Sequence, residues 1–327
     1  DDLRTSAVAF ADKFANRRDR VGMISFNGAY NLDYPPNMSF KDSPSIFTSI
    51  NAIRCGGWTG SAQALWQGYQ QLVTINEPGA LNVILFFTDG RPTALTADYP
   101  IKMVSDQRYG DGTNPYSRTS TIYNMPPSPC RDAMGRSYPN AAWSPQPKRG
   151  FIAANNFNST GQTWGLYRYN TSSATEPLIT DSNGCAFATD DARVRRDVAY
   201  LPDFDAYNNS TINASYKSTP RFTTGSYAGR IRADSPLALR HAAYNATDNA
   251  ASRIRHDASL KPLIYVIGLG GTGSEPPDDE LMTRVANAGT PPLDPDLPRG
   301  LYVYAPSADE LTNAFLRVAS EILRLAQ

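Results

Sequence analysis

Residues 81–92, LNVILFFTDGRP, constrain the fold of this chain more than any other stretch. They read as a short buried strand, Val83–Thr88, that carries Asp89 to its carboxyl end just before a glycine. Open α/β sheets hold their ligands at that end. Upstream, Cys55-Gly56-Gly57-Trp58-Thr59-Gly60-Ser61 is a glycine-rich turn that presents the Thr59 hydroxyl and then opens a helix over residues 62–73. A hydroxyl and a carboxylate are therefore expected on one face. Taken singly, Thr59 reads as a helix cap and Asp89 as a turn residue.

GGWTGSAQAL followed by VILFFTDG resembles the second and third metal-site motifs of a von Willebrand factor type A (vWA) domain. The resemblance extends to RDRVGMISFN (18–27), PLIYVIGLGG (262–271), DDELMTRVANAG (278–289) and residues 301–327, whose pattern is similar to vWA domains of bacterial Tad (Flp-type) pilus-assembly proteins and surface adhesins. It implies a doubly wound α/β fold. It also implies a metal-ion-dependent adhesion site with Thr59 and Asp89 as two of its ligands, and Mg²⁺ (or Ca²⁺ or Mn²⁺) as the ion. Such an ion takes hard oxygen ligands and tolerates waters, so a partner's acidic side chain can complete its shell. The family's first strand and Asp-x-Ser-x-Ser loop, with three further ligand side chains, belong ahead of residue 1. That strand is expected between Val21–Phe26 and Val83–Thr88.

Two compositional regimes appear along the chain. Residues 1–93 and 234–327 show amphipathic helices and short apolar strands; Leu3, Ala7, Phe10 and Phe14 share one helical face over residues 1–16, as do Leu311, Phe315, Val318, Ile322 and Leu325. Residues 94–233 are rich in Tyr, Asn, Ser, Thr, Pro and Gly without a sustained helical period, and read as an inserted, mostly irregular or β subdomain with short strands at 164–170 and 221–227. Cys130 and Cys185 both fall in loop-like settings there and are expected to form a disulfide, which would contribute about 4 kcal/mol on the chain-entropy model. Two unrelated cysteines are the alternative, and Cys55 is left over. Asn-x-Ser/Thr triplets at Asn37, Asn158, Asn170, Asn208, Asn209, Asn213 and Asn245 are concentrated in that region and mark it as polar and exposed.

Charge balance narrows the partners. Lys+Arg and Asp+Glu number 31 each, which gives no electrostatic reason to expect nucleic acid or an anionic membrane surface. No stretch has the eighteen or so apolar residues of a membrane span, so any anchor would lie upstream of residue 1. An extracytoplasmic setting and a protein or cell-surface ligand follow from the resemblance and the cysteine usage.

Competing chemistries have thin support. Gly268-Leu269-Gly270-Gly271-Thr272-Gly273 spells a dinucleotide fingerprint, but Ser274-Glu275-Pro276-Pro277 intervenes before any helix. His241 and His256 are spaced for neither a zinc pair nor a general base, and are expected to be satisfied or exposed residues of a helix over 235–257. The acidic turns 181–184 and 203–205 lack the EF-hand pattern. The sequence therefore reads as a binding module rather than an enzyme. A structural subunit with a vestigial metal site, and a hydrolase acting through the insertion, are the alternatives.

Overall fold

The structure, a computed structural model, describes residues 2–100, 148–154, 198–225, 227–270 and 276–326. Their order is α1 (Asp2–Asp12), β1 (Val21–Phe26), β2 (Tyr30–Asn37), α2 (Ile46–Ala52), α3 (Ser61–Ile75), β3 (Val83–Thr88), β4 (Ala94–Tyr99), β5 (Lys148–Ala153), α4 (Pro236–Arg255), β6 (Leu263–Leu269), α5 (Asp279–Val285), β7 (Tyr302–Ala305) and α6 (Leu311–Leu325). The chain divides into two compact units, 1–92 with 246–327, and 93–245.

In the first unit β3, β6 and β7 form a parallel sheet in that order, with Val83 opposite Leu263 and Val266 opposite Tyr302. The central strand β6, LIYVIGL, is buried from Leu263 through Gly268, as a parallel strand covered on both faces must be. Val83, Leu85 and Phe87 pack with α1 and α6 residues in one apolar cluster. Ile84, on the opposite face of the strand, lies 3.7 Å from the position a Cβ on Gly68 of α3 would take. Helices thus cover both faces, which is the doubly wound α/β arrangement.

The remaining strands of this unit form an antiparallel hairpin, β1–β2, joined by a turn at Asn27–Ala29. Among the described residues β1 pairs only with β2 and β3 only with β6, so each presents one unpaired edge. The expectation that β1 and β3 share no direct hydrogen bonding is met. Ala7 of α1 and Phe14, two residues past its end, pack in the apolar cluster of β3 and also in that of β1 and β2. The two sheets therefore lie against one helix, α1. Burial agrees with the pairing: in β3 only Phe86 and Thr88 are buried, whereas β6 beside it is almost wholly enclosed.

Several boundaries differ from the sequence reading. The first helix stops at Asp12, where the Lys13 and Phe14 amides turn back to the Phe10 and Ala11 carbonyls. Leu325 is exposed because it lies on the last turn of α6, beyond the face that buries Leu311, Phe315, Val318 and Ile322. The helix expected over 235–257 spans Pro236–Arg255.

The second unit contains a regular antiparallel pair, β4–β5, at the start of the stretch read as irregular; all of β4 but Asp98 is buried. Among the described residues of 221–227 no strand forms. Instead Arg221 bridges Ile231, and the Phe222 amide donates to the Arg230 carbonyl, closing a hairpin whose turn bends at Gly225 and Gly229, both at positive φ. The strand expected at 164–170, the Cys130–Cys185 pair and the acidic turn 181–184 lie outside the described residues.

The sequon asparagines do not share one environment. Asn37 and Asn208 are exposed. Asn209 is enclosed, its side chain donating to Asp205 at 2.8 Å, and Asn245 is enclosed with donations to the Thr211 and Lys217 carbonyls. Those two act as internal braces, contrary to the exposed character expected of such triplets: each side-chain nitrogen finds buried acceptors, although the Asn245 Oδ1 has no partner.

Candidate metal and ligand site

The site is built from three chain turns in the first unit. After β3 the Thr88 hydroxyl donates to the Gly90 carbonyl at 2.7 Å and accepts the Gly90 amide at 3.3 Å. This closes a tight turn whose middle residue, Asp89, is exposed. Among the described residues the Asp89 carboxylate has no hydrogen-bond or ion-pair partner. A hard anionic ligand is thus presented at the carboxyl end of a parallel strand.

The glycine-rich loop is held against the end of β1. The Gly60 amide donates to the Asn27 carbonyl at 2.7 Å. A Cβ on Gly60 would stand 2.8 Å from that same oxygen, and one on Gly57 would meet the Asn27 side chain at 3.0 Å. Gly56 and Gly57 have φ of 131° and 98°, which L side chains rarely adopt. These glycines let the loop approach Asn27 closely, and Asn27 is itself fixed by its Oδ1 accepting the Ala29 amide at 2.7 Å. Thr59 is half-buried on this loop, and Gly60 caps α3 with no side-chain bond of its own.

Phe26, the last residue of β1, stacks on Phe86 of β3 with ring centroids 5.3 Å apart. Asn27, which binds the Thr59 loop, follows the first of these rings by one residue, and Asp89 follows the second by three.

Their fit to a divalent ion is partial. Near-octahedral coordination asks for about six oxygens. Thr59 and Asp89 offer a hydroxyl and a carboxylate, and among the described residues no group of three or more His, Cys, Asp or Glu stands together. Their chemistry suits Mg²⁺, but their number leaves most of the shell to other donors.

Ser61, which sequence reasoning passed over, belongs to this neighbourhood. It is fully buried at the first position of α3, and its Oγ has no hydrogen-bond partner. No sequence pattern marks an unsatisfied hydroxyl; only its place beside the glycine loop hinted at it.

The rival chemistries find no geometry here. After β6 the next helix, α5, opens only at Asp279, capped by Asp278 accepting the Leu281 amide at 2.9 Å. Among the described residues no helix starts on Gly268 or Gly270, where a dinucleotide fingerprint would open one. His241 of α4 and His256, one residue past its end, bond to the Ser218 and Ser252 carbonyls at 2.6 and 2.7 Å, so both are satisfied. Cys55 is an exposed free thiol. No described helix is long and apolar enough to cross a membrane.

Residues 2–116 match the family model of the von Willebrand factor type A domain, a span that contains both Thr59 and Asp89. No curated protein matches the chain. Among solved structures, the vWF domain of the type V pili tip protein Mfa5 from Porphyromonas gingivalis is similar at 15% identity and a TM-score of 0.43, covering 100% of this chain and 88% of that one. The pilus adhesin SpaC from Lactobacillus rhamnosus GG is similar at 13% identity and 0.44, and this chain covers 27% of its length. The PilB minor pilin from Streptococcus sanguinis is similar at 13% and 0.46, with 54% of that chain covered. At TM-scores below 0.5 these likenesses carry no further statement about this chain. The family statement rests on residues 2–116.

Proposed function

Taking residues 2–116 as von Willebrand factor type A sequence, we propose that this protein is a binding module, not an enzyme, that engages a protein or cell-surface ligand through a divalent ion at the Thr59–Asp89 face. The observation that carries this reading is Asp89, a carboxylate exposed in the tight turn at the carboxyl end of β3. Mg²⁺, or Ca²⁺ or Mn²⁺ in its place, would supply a positive centre with an open position for an acidic side chain of the partner. Asp89 supplies the anionic contact to that ion, Thr59 a neutral one, and the Gly60–Asn27 bond keeps the hydroxyl from drifting. The setting that goes with this role is extracytoplasmic adhesion or assembly, in a pilus or related surface system.

A structural reading is favoured by one observation. Among the described residues no group of three or more His, Cys, Asp or Glu stands together, and on that ground we propose as the second reading a packed subunit of a surface assembly in which the ion contributes little. Retention of the protein on a poly-glutamate surface separates the two. Binding with Mg²⁺ that is lost in chelator supports the adhesion reading, and retention indifferent to Mg²⁺ supports the structural one.

A further inference from the structure

Asparagine stands before glycine at residues 27–28 and 183–184, and the first pair lies among the described residues, in the turn between β1 and β2. A backbone nitrogen can attack the side-chain amide that precedes it, and glycine, with no Cβ, shields its nitrogen least. Geometry at Asn27 favours that attack. Its Oδ1 accepts the Ala29 amide at 2.7 Å, an Asx turn that folds the side-chain carbonyl over the intervening Gly28 peptide. The same bond draws electron density toward Oδ1 and makes Cγ the better electrophile.

The nucleophile is available as well. Gly28 is buried, and among the described residues its amide has no hydrogen-bond partner. A buried backbone N–H left over in this way is rare. The comparable pair Asp89-Gly90 differs on this point, because the Gly90 amide donates to the Thr88 hydroxyl at 3.3 Å. One glycine nitrogen is held by a bond and the other is not.

We propose that Asn27-Gly28 is a self-modification site, at which the side-chain amide is lost and a carboxylate is left against the loop that bears Thr59. The Gly28 nitrogen gives its proton to solvent hydroxide and bonds to Cγ of Asn27. The Cγ–Nδ2 bond breaks, and Nδ2 leaves as ammonia with a proton taken from water. Asn27 is exposed, so water then reaches the cyclic imide and opens it. Opening at Cγ leaves the carboxylate on the side chain, whose amide nitrogen stands 3.0 Å from the position of a Cβ on Gly57. Opening at the main-chain carbonyl carbon routes the chain through Cγ as isoaspartate, and the carboxylate then includes the oxygen that accepts the Gly60 amide. Either product places a negative charge against Gly57 or Gly60. The chemistry needs no ion and stands apart from the adhesion reading.

The test incubates residues 1–327 in mildly alkaline buffer, folded or unfolded in guanidinium at the same pH, and follows Asn27 and Asp89 by peptide mapping with fragmentation mass spectrometry. Each rate in the folded chain is divided by the rate of the same residue in the unfolded chain. The expected ratio for conversion of Asn27 lies within about tenfold of unity, a barrier difference of about 1.4 kcal/mol, while the ratio for isomerisation of Asp89 is lower than that of Asn27 by about tenfold or more. Asn27→Gln, whose longer side chain cannot close the same ring, leaves the peptide spanning residue 27 unconverted in both states, and a thermal melt reports its fold. A ratio for Asn27 as low as that for Asp89 overturns the proposal, as does conversion of that peptide in Asn27→Gln at the wild-type rate. Should Asn27→Gln fail to fold, the two wild-type ratios decide alone.

Discussion

The ring of Phe26 stacks on the ring of Phe86 at 5.3 Å with an interplanar angle of 20°, although the strands that carry them share no hydrogen bond. Side chains thus bridge what backbones do not. Aromatic pairs of this kind contribute roughly 0.5–1.5 kcal/mol beyond the area they bury. The contact joins the hairpin to the parallel sheet on the α3 face, while α1 joins them on the other.

The open edges have a direct consequence for exchange. Interior parallel strands are protected along their whole length, but β3 bonds on one side only. Alternate amides within Val83–Thr88 should therefore exchange much faster than those of Leu263–Leu269 in hydrogen-exchange measurements. Equal protection of the two strands would contradict the pairing described.

Close approach at the glycine loop sets a second expectation. Gly60→Ala would force a methyl to 2.8 Å from the Asn27 carbonyl, and Gly57→Ala would add strain at φ 98°. Each should destabilise the unit by about 1–3 kcal/mol. Gly79→Ala, where nothing lies within 4 Å, serves as the tolerant control in a denaturant series.

Asp257 supplies a pH-dependent tie. It accepts the Leu260 and Ser259 amides at 3.0 and 2.8 Å and the Tyr69 hydroxyl at 2.7 Å. These bonds, the Leu260 amide foremost, hold its carboxyl below the usual range, while burial first and then Asp257 push the Tyr69 phenol up to about 12. A lowered carboxyl contributes stability that is present above its unfolded pKa and lost as pH falls through the folded one. A raised phenol contributes stability that is present below its unfolded pKa, about 10, and lost as pH rises through about 12. The destabilisation caused by Tyr69→Phe should accordingly be constant through neutral pH and shrink below about pH 4. A difference that grows with acid would contradict this.

The segment after α5 depends on one buried cation. Arg255 is fully enclosed and donates to Asp294 at 3.2 and 2.5 Å and to the Arg284 and Val285 carbonyls at 3.2 and 2.7 Å. Asp294→Ala leaves that charge short of its partner and should cost about 3–5 kcal/mol in chemical denaturation. The double variant Arg255→Met with Asp294→Ala should recover much of the loss, because it removes the stranded charge.

The parts legible in the sequence were those whose pattern matches their environment. VILFFT and LIYVIGL announce buried parallel strands, and the spacing of Leu311, Phe315, Val318 and Ile322 announces the face of α6. Strand β2 was hidden because Pro35 and Pro36 read as strand breakers, yet β2 is bonded on one side only, where proline is tolerated. Strand β4, ALTADY, was hidden by polar neighbours on a segment judged by composition. At the site, Thr59 and Asp89 were legible because motif spacing carries them. Ser61 was not, since an unsatisfied hydroxyl exists only once packing has enclosed it.

The central claim is that Asp89 holds a divalent ion for ligand binding. The most direct measurement is Mn²⁺ affinity by water-proton relaxation for the wild type, Asp89→Ala and Thr59→Ala, with a thermal melt of each. Asp89 is exposed at a strand's end, so its removal takes away a charge without opening a cavity. The account predicts at least a tenfold weaker affinity for Asp89→Ala, about 1.4 kcal/mol, a smaller loss for Thr59→Ala, and unchanged melts. Mn²⁺ binding that is undiminished in Asp89→Ala would contradict it and move the ligand surface off this face.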